Sequence, residues 1–148
     1  MFVFQYVNMK TAARLFKALS DESRLRILAV LALRELCVCQ LMAILGIPQP
    51  LVSRNLGLLK DAGLIEERRQ GKLIFYSLRK DLPDDTGAII KALREKLKDD
   101  RTHLSDIESL ADCTEYQRKT GRCNMKTFLE YMDLKRTQRN SRRAAYVS

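Results

Sequence analysis

The chain reads as a mainly α-helical fold with one small β-hairpin, and three observations carry that reading. Apolar residues recur at helical spacing from Ala12 to Leu59, two short β-prone stretches then flank a glycine, and a long one-sided apolar stripe follows. At 148 residues the chain suits one compact domain with an appendage.

The first helix spans residues 8 to 19 and places Ala12, Leu15, Phe16 and Leu19 together. Either Ser20 or Asp21 suits the N-cap of a second helix, whose Leu25, Leu28 and Ala32, widened by Ile27, Val30 and Leu31, mark it as a core element. The stretch "ELCVCQLMAILGI" predicts a short helix ended by Gly46. "PQPLVSRNLGLLKDAGL" predicts another that starts at Pro48 to Pro50 and stops at Gly63. Ile65 to Arg69 and Leu73 to Leu78 then pair as a hairpin about Gln70-Gly71. From Thr86 to Ala111, Ile89, Leu93, Leu97, Leu104, Ile107 and Leu110 fall broadly on one stripe, interrupted by Asp100. A helix so one-sided wants a partner. The expected division is a folded domain over 1–112 and a basic extension over 113–148, partly disordered, with a weak helical pattern in "MKTFLEYMDLKR" and disorder over its last dozen residues.

Composition narrows the function classes. No apolar run approaches the roughly 18 residues that span a membrane, and the start "MFVFQYVNMK" is too short for a secretory signal. No membrane partner is expected, and the cytoplasm is the expected location. Four cysteines, Cys37, Cys39, Cys113 and Cys123, then suggest reduced thiols for metal or redox chemistry over a disulfide framework. The net charge of +9 invites a nucleic-acid partner, but residues 116–148 hold nine Lys or Arg against Glu130 and Asp133, which leaves the rest only slightly basic. Bulk charge is therefore weak evidence. The cysteines lack C-x-x-C spacing, and no Ser/His/Asp arrangement or glycine-rich phosphate loop is visible, so no catalytic activity is assigned.

The order of elements is more specific. Helix, short turn, helix and a hairpin with a basic tip is the order of a winged helix-turn-helix, whose second helix enters the DNA major groove. On that helix Val52, Leu56 and Leu59 face a core, while Gln49, Ser53, Gly57 and Lys60 form the opposite stripe. Gln49, Ser53, Arg54, Asn55 and Lys60 are candidates to read base edges or grip phosphate, and Arg68, Arg69, Gln70 and Lys72 crowd the hairpin tip. Double-stranded DNA is the expected partner, and binding it needs no cofactor.

Cys37 and Cys39 pose a geometric question. On a regular helix, residues i and i+2 point about 200° apart and cannot meet. If both thiols hold one ligand, the turn carrying them must unwind or bend. That distortion would reach Gln49 ten residues on.

The segments "LFKALSDESRLRILAVL", "ELCVCQL", "QPLVSRNLGLLKDAGLI" and "RRQGKLIFYSL", in this order, closely resemble the ArsR/SmtB family of winged-helix repressors over residues 9 to 80. "ELCVC" is similar to the hallmark of its arsenic-responsive branch. The resemblance implies a homodimer that joins through the first helix and the long helix after the hairpin. It also implies that the dimer binds a palindromic operator and leaves it when As(III) or Sb(III) binds Cys37 and Cys39. The best-known form of that branch has a third cysteine where this chain has Met42, and a neutral thioether is a poorer donor to a trivalent metalloid. Cys113 or Cys123 folding back, an exogenous thiol, a two-coordinate complex or an organoarsenical each remain open as the answer. A histidine-rich zinc site is not expected, since His103 is the only histidine. A cadmium- or lead-responsive repressor and a thiol redox switch of the same fold stand as alternatives.

Overall fold

The computed structural model describes residues 8–121 and 125–147, without the side chains of residues 125 and 127. The helix α1 (Met9–Leu19) is opened by Asn8, whose side chain accepts from the Thr11 amide at 2.9 Å, and α2 (Glu22–Leu31) by Asp21, which accepts from Arg24 at 3.0 Å. These short oxygens satisfy backbone donors that the first helical turn leaves without partners. The two-residue strand β1 (Leu36–Cys37) leads straight into α3 (Val38–Leu45), and α4 (Gln49–Asp61) follows. Gly46 ends α3 at φ 67°, a left-handed conformation that costs a side-chain-bearing residue about 1 kcal/mol, and Pro48 restarts the chain as the cap of α4.

β2 (Ile65–Gln70) and β3 (Leu73–Leu78) form the expected hairpin, in register from Ile65 opposite Leu78 to Gln70 opposite Leu73. Gly71 takes φ 61° at the tip, where a tight two-residue connection needs a positive φ. The sheet has a third strand that periodicity did not reveal. β1 pairs with β3, Leu36 opposite Tyr76 and Cys37 opposite Phe75, giving the antiparallel order β1-β3-β2.

The long helix expected from Thr86 is two helices, α5 (Asp84–Leu97) and α6 (Arg101–Thr120). Asp100, the residue that interrupts the apolar stripe, is the reason: its carboxylate accepts from the His103 amide at 2.9 Å and restarts the chain as a cap. The boundary drawn at 112 falls inside α6. The extension expected to be partly disordered is helical from Met125 to Val147 (α7), and Phe128 and Met132, one turn apart, are fully buried. Tyr116 of α6 meets the rings of Phe128 and Tyr131 at 5.2 and 4.9 Å. Arginines secure the rest of α7: Arg139 reaches Glu108 at 2.9 Å and Asp112 at 2.6 Å, and Arg136 donates to the Ala43 carbonyl at 2.5 Å. A helix held by one apolar turn and by arginines with distant partners has almost no sequence stripe to betray it.

The core runs from Ile27 and Leu28 of α2 through Leu41 and Ile44 of α3 to Leu56 and Leu59 of α4, and α6 and α7 extend it across α3. No helix among the described residues is long and apolar enough to cross a membrane.

Candidate functional site

Cys37 ends β1 and is also the cap residue of α3, with extended backbone at φ −90° and ψ 171°. Only Cys39 is inside the helix. Helical phase therefore does not hold the two apart, and their Sγ atoms lie 2.8 Å from one another. This corrects the expectation that a helical turn must give way before the thiols can meet. Strand pairing with Phe75 already keeps Cys37 out of the helix. Both residues are buried, at 3% and 7% exposure.

The cap is reciprocal. The Cys37 amide donates to Gln40 Oε1 at 2.9 Å, and the Gln40 backbone N–H faces the Cys37 sulfur. A hydrogen bond from the Cys39 thiol, joined by the amides of Gln40 and Cys39, outweighs burial and pulls the Cys37 thiol down to about 6. A thiolate at a helix start, one bond from a second sulfur, is a ready soft donor pair.

Among the described residues no third donor forms a cluster with them. No cluster of three or more His, Cys, Asp or Glu that could hold a metal ion occurs among the described residues. Cys113 is fully buried on the inward stripe of α6, and Cys123 lies outside the described residues. Met42 is half-buried and packs against the core. The geometry thus fits a ligand that two protein sulfurs can hold. Asp106, one turn on from His103, is committed to a two-pronged pair with Arg26 at 2.8 and 3.0 Å.

On α4 the structure leaves Gln49, Ser53, Arg54, Gly57 and Lys60 at the surface and buries Val52, Leu56 and Leu59. Asn55 is the exception among the candidate contacts. It is 3% exposed and accepts from Arg24 Nη1 at 3.3 Å, so it ties α2 to α4 and cannot reach a groove. Of the basic candidates, Lys60 is paired with Glu67 at 2.8 Å. Arg68 is paired with Glu35 at 2.6 Å and lies over the Phe75 ring at 5.0 Å. Arg69, Gln70 and Lys72 are exposed at the hairpin tip, where Gln70 accepts from Arg68 at 2.9 Å. Arg14, Lys17 and Arg24, which line a groove with Arg54, did not emerge from the sequence, because α1 and α4 are far apart in the chain.

Residues 21–67 match the model of the family described as "Bacterial regulatory protein, arsR family". The chain is 46% identical over 78 residues to the arsenical resistance operon repressor of Escherichia coli, covering 52% of this chain and 67% of that one. It is 35% identical over 97 residues to the arsenic resistance transcriptional regulator ArsR1 of Pseudomonas putida, covering 62% and 76%. Among solved structures, the transcriptional repressor BigR from Xylella fastidiosa superposes with a TM-score of 0.54 at 33% identity, covering 62% of this chain and 88% of that one.

Proposed function

The chain belongs to the arsR family of bacterial regulatory proteins, and on that footing we propose that it is a metalloid-responsive transcriptional repressor. In this reading a cytoplasmic homodimer holds operator DNA through α4 and the β2–β3 wing. Binding of a trivalent arsenical or antimonial to Cys37 and Cys39 releases it. The observation that carries the reading is the buried thiol pair, 2.8 Å apart, at the start of the helix that precedes α4. Two half-sites about 34 Å apart demand a fixed separation of the two α4 helices, and α3 packs directly against α4.

The chemistry follows from what the Cys37 sulfur already does. It caps α3 and shares a hydrogen bond with Cys39. Each arsenic–sulfur bond replaces an As–OH bond, one hydroxide leaving as water with the Cys39 thiol proton and the other with a proton from solvent; this takes away both functions and leaves the first amides of α3 to find other partners. The helix start then shifts, and α4 moves with it through the tight turn at Gly46 to Pro48. This replaces helix unwinding with loss of a cap as the origin of the response. Two protein sulfurs fill two positions of a trivalent arsenic, and a methylated trivalent arsenical fills the third with its own carbon.

Titrating the operator complex with arsenite, antimonite, methylated trivalent arsenic and cadmium tests this reading. Release by the methylated arsenical at the lowest concentration, abolished in Cys37→Ser and Cys39→Ser, is the expected result. Release by cadmium alone, which is soft enough for thiolates, would move the protein to another inducer class. Release by peroxide that survives in neither cysteine variant would make it a redox switch.

A further inference from the structure

Most of the arginines and lysines around α4 are matched by acids, and a few are conspicuously not. Lys60 has Glu67, and Arg68 has Glu35. Arg14 and Lys17 of α1 and Arg54 of α4 take part in no ion pair among the described residues, yet all three line one groove together with Arg24, with Asp61 as its sole acid. Arg24 has Asp21 at 3.9 Å, but three further like charges beside one carboxylate repel one another and weaken the fold slightly. Such an arrangement is repaid when an anion lies among them.

The groove is also rigid. Arg24 donates to the Ala18 carbonyl at 2.7 Å, to the Lys17 carbonyl at 3.2 Å and to Asn55 Oδ1 at 3.3 Å, which pins the end of α1 against α4. Arg54, Leu58 and Asp61 form a second exposed stripe on α4, about 100° around the helix from Gln49, Ser53, Gly57 and Lys60. A duplex that receives the Gln49–Lys60 stripe in its major groove runs one of its flanking sugar-phosphate strands past the Arg54 stripe.

We propose that the α1–α4 groove is a phosphodiester-binding site, in which Arg14, Lys17 and Arg54 grip the DNA backbone beside the major groove. This rests on the DNA-binding reading above and extends the contact surface from α4 and the wing onto α1. Contacts of this kind position the protein on the duplex and carry no sequence information.

The test uses the full chain with Arg14→Gln, Lys17→Gln and the double variant, on a promoter duplex and on a random duplex, between about 50 and about 200 mM salt. Both side chains are exposed, and circular dichroism checks the fold. Each lost phosphate contact lowers the slope of log affinity against log salt by about 0.9, so the double variant is expected to lose nearly two units. The loss should be equal on both duplexes, and Arg14→Lys should restore its share. A double variant with the wild-type slope overturns the groove as a phosphate site while leaving the DNA-binding reading intact. A loss confined to the promoter duplex also overturns it, because that would signify base reading. Failure of the wild type to bind either duplex overturns the DNA-binding reading itself.

Discussion

Cys37 reaches Cys39 because it lies outside the helix: its backbone closes β1, and its Sγ sits 2.8 Å from that of Cys39. Chiefly through the Cys39 thiol, the Cys37 thiol titrates at about 6, whereas an unfolded cysteine titrates near 8.5. A native pKa below the unfolded one means that ionisation favours the fold. The contribution is complete above about pH 8.5, declines as pH falls and is gone below about 6. Thiolate absorbance in the ultraviolet should therefore rise with a midpoint near 6, and Cys39→Ala should move that midpoint upward. A midpoint unmoved by Cys39→Ala would leave the helix amides as the sole cause.

The same pair sets the response. Cys37→Ser and Cys39→Ser keep the strand, the helix and the exposed face of α4, so both variants should bind operator with affinity close to that of the wild type. Neither should release it on adding a trivalent arsenical. Coupling must also be reciprocal: if the arsenical weakens operator affinity about a hundredfold, operator weakens arsenical affinity equally, a coupling of about 2.7 kcal/mol. Calorimetric titration of the arsenical with and without operator measures it, and equal affinities would exclude coupling through α3.

The sequence made some of this architecture legible and hid the rest for identifiable reasons. α1 to α4 and the wing follow from apolar periodicity, caps and the turn at Gly71, each a local signal. β1 is two residues long and exists only because β3 lies beside it, so no local pattern marks it, and the meeting of the thiols was hidden with it. Asn55 could have been placed correctly, since it follows Val52 by three residues and precedes Leu59 by four, on the core stripe of α4. Its amide chemistry drew it to the DNA side. α7 left only a weak pattern because anchors such as Arg136 and Arg139 have partners on α3 and α6 that are remote in sequence.

Those remote anchors can be tested for stability. Asp106 is almost fully buried and holds Arg26, which in turn donates to the Leu45 carbonyl at 2.7 Å. Asp106→Asn leaves a guanidinium without its counter-charge between α2, α3 and α6. Loss of one partner of a buried pair costs about 3 to 5 kcal/mol, and Arg26 retains enough solvent contact to put the expected value at the lower end, about 3 kcal/mol. Phe128→Ala, which empties a fully buried ring site, should cost about 3 to 5 kcal/mol. Urea midpoints measure both. A Phe128→Ala protein as stable as the wild type would mean that α7 does not hold the core in solution.

Gly57 separates the needs of the fold from those of the ligand. It sits in the middle of α4 on the exposed stripe between Ser53 and Lys60, and a Cβ placed there meets nothing within 4 Å. Nothing inside the protein requires glycine at this position, and a glycine within a helix costs roughly 0.8 to 1 kcal/mol relative to alanine. Gly57→Ala should therefore raise stability by up to about 1 kcal/mol. If α4 lies in the major groove, the backbone at Gly57 approaches the DNA and the added methyl collides with it, so operator affinity should fall while the melting temperature rises. These opposite signs cannot come from misfolding. A variant both more stable and undiminished in operator binding would show that this stripe of α4 does not face the DNA.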